Sequence, residues 1–172
     1  MLRALVVYES LFGNTEAVAR AVAEGLGETF EVKVVEAREM PSAGDVDLLV
    51  AGAPTHAFGL SRPRTREDAA RQGEVRPGSV GVGLREYLDV SPSLPGTAAA
   101  TFDTRINKPL VPGSAAHRAH RRLRRLGCRM LLPAESFRVE GVDGPLVAGE
   151  LGRARAWGAR LAAAMPVAGR RA

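Results

Sequence analysis

The chain is poor in cysteine, lysine and aromatic residues, and it has no long apolar run. Cys128 is the single cysteine among 172 residues, which excludes an intrachain disulfide. A reducing compartment fits that usage. No apolar stretch approaches the roughly 20 residues that span a bilayer. One arginine and then a strand-like run open the sequence, without the small-residue cleavage pattern of a secretory signal, so a cytoplasmic location is expected. One Trp, two Tyr and five Phe leave few rings for stacking bases, and no nucleic-acid motif accompanies them. The three histidines, His56, His117 and His120, have no carboxylate or cysteine at ligand spacing, so no metal site is expected. Cys128 reads as a small core hydrophobe at the start of a strand.

What is present is ordinary for a folded chain: 45% apolar and 25% charged residues. The size fits one domain over residues 1–165, followed by a small basic tail, 166–172, expected to be disordered. Net charge is +5, and Lys33 and Lys108 are the only lysines among 24 basic side chains. Arg118, Arg121, Arg122, Arg124, Arg125 and Arg129 crowd one segment. Such a cluster suits nucleic acid, an acidic partner or a nucleotide phosphate. Without a supporting motif it reads first as a solvated helix face, and a nucleic-acid partner is not expected.

Apolar periodicity alternates between strand and helix. Strands are expected at Leu2–Tyr8, Phe30–Ala37, Asp47–Ala53, Ala98–Phe102 and Cys128–Leu132, the last extending to Ser136–Val139 beyond Pro133. Helices are expected at Asn14–Leu26, Thr65–Arg71, Ser79–Leu88, Ser114–Leu126 and Glu150–Met165. Leu151, Ala154, Trp157, Leu161 and Met165 form the apolar stripe of the last. The run D-L-L-V-A-G-A is continuous, as in strands buried on both faces. The alternation predicts an α/β doubly wound sheet of five parallel strands, order 2-1-3-4-5, with helices on both faces. In that order the loops after strands one and three meet at a crevice.

Those two loops are the most distinctive in the chain. The first lies in L-V-V-Y-E-S-L-F-G-N-T-E-A-V-A-R-A-V-A, where a buried strand stops at a polar loop and a helix starts at Thr15 or Glu16. Unpartnered N–H groups of the first helical turn, the helix dipole and the side chains of Ser10, Asn14 and Thr15 converge there on what a phosphate needs. The second loop is G-A-P-T-H-A-F-G-L-S-R-P.

The first segment closely resembles the N-terminal signature of the flavodoxin family, the standard example of this strand order. The resemblance implies an FMN phosphate held by Ser10, Leu11, Phe12, Gly13, Asn14 and Thr15. It implies that Pro54, Thr55, His56, Ala57, Phe58 and Gly59 flank the flavin ring, with Phe58 or His56 offering a flat face. On position alone, Phe102, Asp103, Thr104 and Arg105 line the other side, where Arg105 would offset charge on the reduced ring. The chain departs from small flavodoxins in being basic rather than acidic and in lacking the usual stacking Trp and Tyr.

The resemblance implies an FMN-binding redox protein that exchanges electrons with a protein partner or a small quinone-like substrate. An FMN-dependent oxidoreductase linked to NAD(P)H or quinone is one version, with Arg62, Arg64 and Arg66 attracting an anionic donor or substrate. His56 is a candidate proton donor in that version. The alternative is a flavodoxin-like binding or regulatory domain whose flavin site is altered or lost.

Overall fold

The computed structural model describes residues 1–56, 58–75, 77–109 and 111–166. β1 (Leu2–Tyr8) runs between β2 (Phe30–Glu36) and β3 (Leu48–Pro54), parallel to both. β4 (Ala98–Ile106) follows β3, and β5 (Arg129–Met130) and β6 (Glu135–Val139) both pair with β4. The order is β2-β1-β3-β4-β5, with β6 continuing the fifth position. β5 sits beside Ala98–Ala99 and β6 beside Phe102–Ile106, so they are one broken strand. Pro133 lies in the break, where its missing N–H cannot serve the ladder.

Alternation along the strands divides the core in two. Ala4, Val6 and Tyr8 pack against α1 (Asn14–Leu26) and α5 (Glu150–Ala164). Leu5 and Val7 pack against α3 (Leu84–Val90) and α4 (Ala115–Arg125). Phe102, Phe137 and Trp157 fill the first layer edge to face, with ring centroids 6.1 Å apart. Trp157 and Cys128 are both buried, as core residues.

Glycine sets the spacing of α1 against α5. A Cβ on Gly25 would lie 1.9 Å from the Arg155 carbonyl oxygen, and one on Gly158 would lie 2.3 Å from that of Val22. The two backbones therefore touch where side chains would hold them apart.

Three elements differ from the expectations. β4 runs on to Ile106 because Phe102–Ile106 pair with β6, so Asp103–Ile106 are strand and the loop starts at Asn107. The expected helix at Ser79–Leu88 begins only at Leu84, past Gly81 and Gly83, where the Glu86 carboxylate accepts the Gly83 N–H at 3.1 Å. Leu151, assigned to the apolar stripe of α5, is 42% exposed, because the stripe starts at Ala154. The expected tail lies outside the described residues from 167 onward.

The connection from β3 to α3, which carries α2 (Pro63–Ala70), is held by charge in the interior. The Arg66 side chain of α2 is wholly buried. It donates to Ser61 Oγ at 2.8 Å, to the Val80 carbonyl at 3.0 Å and to the Gly81 carbonyl at 3.2 Å, and it pairs with Glu86. Glu9, at the end of β1, accepts from Ser61 Oγ at 2.5 Å and from the Leu84 N–H at 2.7 Å. Its carboxylate lies 4.0 Å from Arg66. Burial pushes the Glu9 carboxyl above its usual range, against the downward pull of Ser61, Leu84 and Arg66.

Two stability measurements test this account. Gly158→Val overpacks the α1–α5 contact and lowers stability by about 1–3 kcal/mol or more. Gly152→Ala, on the same helix with open space around it, raises stability by about 0.8–1 kcal/mol, so denaturant midpoints shift in opposite directions. Arg66→Met leaves two carboxylates facing a neutral side chain and costs about 3–5 kcal/mol. Arg64→Met, on the exposed side of α2, stays within about 0.5 kcal/mol of the parent.

Candidate functional site

The parallel strands bring their following loops to one edge of the sheet. At the start of α1, Gly13 takes the left-handed conformation at φ 96° and donates its N–H to Ser10 Oγ at 3.1 Å. The first helical turn presents N–H groups that have no intrahelical acceptor. Thr15 is buried, and its hydroxyl shares a 2.8 Å hydrogen bond with that of Thr104 from β4. Asn14 abuts the backbone of Gly144, where a Cβ would come within 2.6 Å of the Asn14 amide oxygen.

A crevice of about 90 Å³ opens here. Leu11, Phe12, Asn14 and Thr15 line it from the first loop, and Pro54, Thr55 and His56 from the second. Thr104 closes it from β4. The two loops singled out in the sequence thus meet. Ile106, Val139 and Val142 complete the lining and were missed in the sequence. The signal for Val139 was its alternation with Phe137 in the broken fifth strand.

The remaining expected residues lie around the crevice rather than in its wall. Ser10 and Gly13 shape the first loop. Phe102 is core. Asp103 and Arg105 alternate to the strand face opposite Thr104 and Ile106. The Asp103 carboxylate accepts from Ser114 Oγ at 2.5 Å, from the Ala116 N–H at 3.0 Å and from Thr55 Oγ1 at 3.1 Å. It thereby ties the start of α4 to the second loop. Arg105 donates to the Val111 carbonyl. Ala57 lies outside the described residues.

His56 and Gly59 exchange backbone hydrogen bonds of 2.8 Å in both directions. Phe58 has a positive φ of 74° and is 59% exposed. Phe58 and Gly59 line a different cavity, of about 290 Å³, that among the described residues shares only His56 with the crevice. Six arginines surround it: Arg62, Arg85, Arg118, Arg121, Arg122 and Arg125. The four from α4 recur at i, i+3, i+4 and i+7, which is one helix face. The sequence pattern reads that face as solvated; the fold turns it toward the second loop. Of the arginines in S-R-P-R-T-R, Arg62 reaches this cavity, Arg64 is exposed and Arg66 is locked in the interior. Arg66 is therefore not available to attract a substrate.

Among the described residues no helix is long and apolar enough to cross a membrane. None of their His, Cys, Asp and Glu side chains form a group of three able to hold a metal ion.

Residues 6–77 match the family model for flavodoxin. No curated protein matches the chain significantly. Among solved structures, oxidised flavodoxin 1 from Bacillus cereus is similar at TM-score 0.68 and 21% identity, over 92% of this chain and 96% of that one. A point mutant of flavodoxin from Pseudomonas aeruginosa gives 0.65 at 16% identity, over 95% and 99%. A flavodoxin, WrbA-like protein from Agrobacterium tumefaciens gives 0.58 at 19%, over 95% and 96%. Over nearly its whole length this chain therefore has the flavodoxin-like fold, and its residues 6–77 match the flavodoxin family model.

Proposed function

We propose that residues 1–165 act as one FMN-binding redox unit that passes electrons to or from a protein partner or a small quinone-like acceptor. The observation that carries this reading is the meeting of the β1–α1 and β3–α2 loops in one crevice whose polar end is the start of α1. The donors there suit a phosphate: first-turn N–H groups without an intrahelical acceptor, a left-handed Gly13 and the side chains of Asn14 and Thr15. The other lining groups, Leu11, Phe12, Pro54, Ile106, Val139 and Val142, are apolar and suit the faces of a flat ring.

The residues fit the group; the volume requires movement. Small-ligand pockets run roughly 300–1,000 Å³, so a crevice of about 90 Å³ must widen. The segment at Val142–Gly144, packed against Asn14, is the wall that parts from the crevice. Bound FMN would supply the electron-transfer chemistry, while the chain orients it and excludes water.

His56 enters this site without a proton to give at neutral pH. Burial, and then the charge of Arg66, lower its pKa to about 4. Neutral His56, with Nδ1 3.3 Å from Thr65 Oγ1, is a hydrogen-bonding wall rather than an acid. A linked oxidoreductase using NAD(P)H or quinone would therefore take its proton from elsewhere.

A second reading, a binding or regulatory domain with an altered flavin site, is favoured by the narrow crevice and by Phe58 facing the other cavity.

Two experiments check these statements. Titration of the full chain into FMN, followed by flavin fluorescence, should saturate at one flavin per chain. Thr15→Val, which removes a donor to a charged phosphate, should weaken binding by about 10- to 100-fold, on the order of 1.5–3 kcal/mol. A chain that folds but leaves flavin fluorescence unchanged favours the second reading. For His56, the imidazole resonance should titrate near about 4. Because the folded-state value lies below the unfolded one, the unfolded chain takes up this proton first. Stability is then lost as pH falls from about 6.5 toward about 4. His56→Gln should flatten that part of the stability profile.

A further inference from the structure

The arginine-lined cavity is not the crevice proposed for flavin, although Phe58 and Gly59 on its wall are among the residues the resemblance assigns to the ring, and its chemistry is the opposite of that crevice. Three helices bring charge to one concave place. Arg62 caps α2, Arg85 stands in the first turn of α3, and Arg118, Arg121, Arg122 and Arg125 come from one face of α4. The loop at Phe58–Leu60 forms the remaining wall.

Three of the six guanidinium groups are held in place, while Arg62, Arg121 and Arg125 are exposed. Arg85 donates to the carbonyls of Leu60 and Ser61 at 2.8 and 3.1 Å, which orients its guanidinium. Arg118 lays its aliphatic stem on Gly59, where a Cβ would come within 3.3 Å of it. Arg122 pairs with Asp89, the one carboxylate bonded to any of the six among the described residues. Glu86, the other carboxylate nearby, is engaged by buried Arg66. Desolvation and then the charge of Arg62 depress the Arg85 pKa, with Arg122 adding to the effect. The other five guanidinium groups thus share one cavity with no carboxylate of the described residues bonded to them.

Several positive charges converging on a concave site match clustered negative charge, and planar guanidinium forks match phosphate oxygens. The cavity volume, about 290 Å³, lies near the lower bound of small-ligand pockets, roughly 300 Å³. It is large enough for a diphosphate and too enclosed for a duplex, whose phosphates need charges spread along an open surface. At its rim the exposed ring of Phe58, held out by a positive φ, offers a stacking face.

We propose that this cavity is a second ligand site, one that binds a nucleotide diphosphate with the phosphates among Arg85, Arg118, Arg121 and Arg125 and the base against Phe58. It is separate from the phosphate position at the start of α1, and it stands whether or not the chain binds flavin. If flavin is bound, His56 is the shared wall between the two ligands.

Calorimetric titration of the full chain with ADP tests this, with and without FMN. ADP should bind at one per chain, and Arg121→Ser and Arg125→Ser, both at exposed helix positions, should each weaken it at least tenfold. Inorganic pyrophosphate should show the same losses. Phe58→Ser should weaken ADP severalfold and leave pyrophosphate unchanged. Arg124→Ser, on another face of α4, and Thr15→Val should leave both within twofold. The proposal is overturned by an absence of saturable ADP binding, or by losses that follow Thr15→Val instead. Equal losses from Arg124→Ser and Arg121→Ser would also overturn it, since they report diffuse charge. So would tighter binding of a DNA duplex through the same arginines.

Discussion

Arg66 is the charge around which the functional edge of the molecule is assembled. Its guanidinium reaches Ser61, the carbonyls of Val80 and Gly81, and Glu86, and it lies within 4.0 Å of Glu9. It therefore joins the end of β1, the second loop, α2 and the approach to α3. A buried charge is costly unless each of its hydrogen bonds is met, and here the partners come from segments far apart in sequence. None of those segments can shift alone without leaving a charge or a carbonyl unmatched. That is why the long connection from β3 to α3, with two prolines near its start, holds the wall between two cavities.

The two cavities differ in what surrounds them. The crevice is walled by strand ends and by the start of one helix, so its polarity comes mainly from backbone N–H groups and hydroxyls. The neighbouring cavity is walled by long side chains from α2, α3 and α4, so its polarity is full positive charge. His56 lines both, while Phe58 and Gly59 line one.

The alternating strands and helices were legible because parallel strands buried on both faces leave continuous apolar runs and because helical and strand periods differ, and the sheet order followed from the doubly wound pattern they fit. The two loops of the crevice were legible because a strand, a glycine-bearing loop and a helix start form one local unit. Ile106, Val139 and Val142 were not, since pairing of β4 with β6 decides how far β4 extends and what stands beside it. Arg66 looked like one of three equivalent arginines in S-R-P-R-T-R. Its burial depends on Glu9, far before it in the chain, and on Glu86, 20 positions after it, and no local pattern carries that.

The sequence by itself determined the alternating α/β architecture and the polar start of α1, because each rests on contacts within a few residues or on the period of a single element. Only the tertiary structure decided which arginines are interior, which line a cavity and which meet solvent. Side chains that are chemically alike differ only in what the rest of the chain packs around them, and that is settled by contacts between distant segments. The opening strand–loop–helix unit was thus visible from its residues, while the arginine cavity exists only because α2, α3 and α4 are brought together on one face of the sheet.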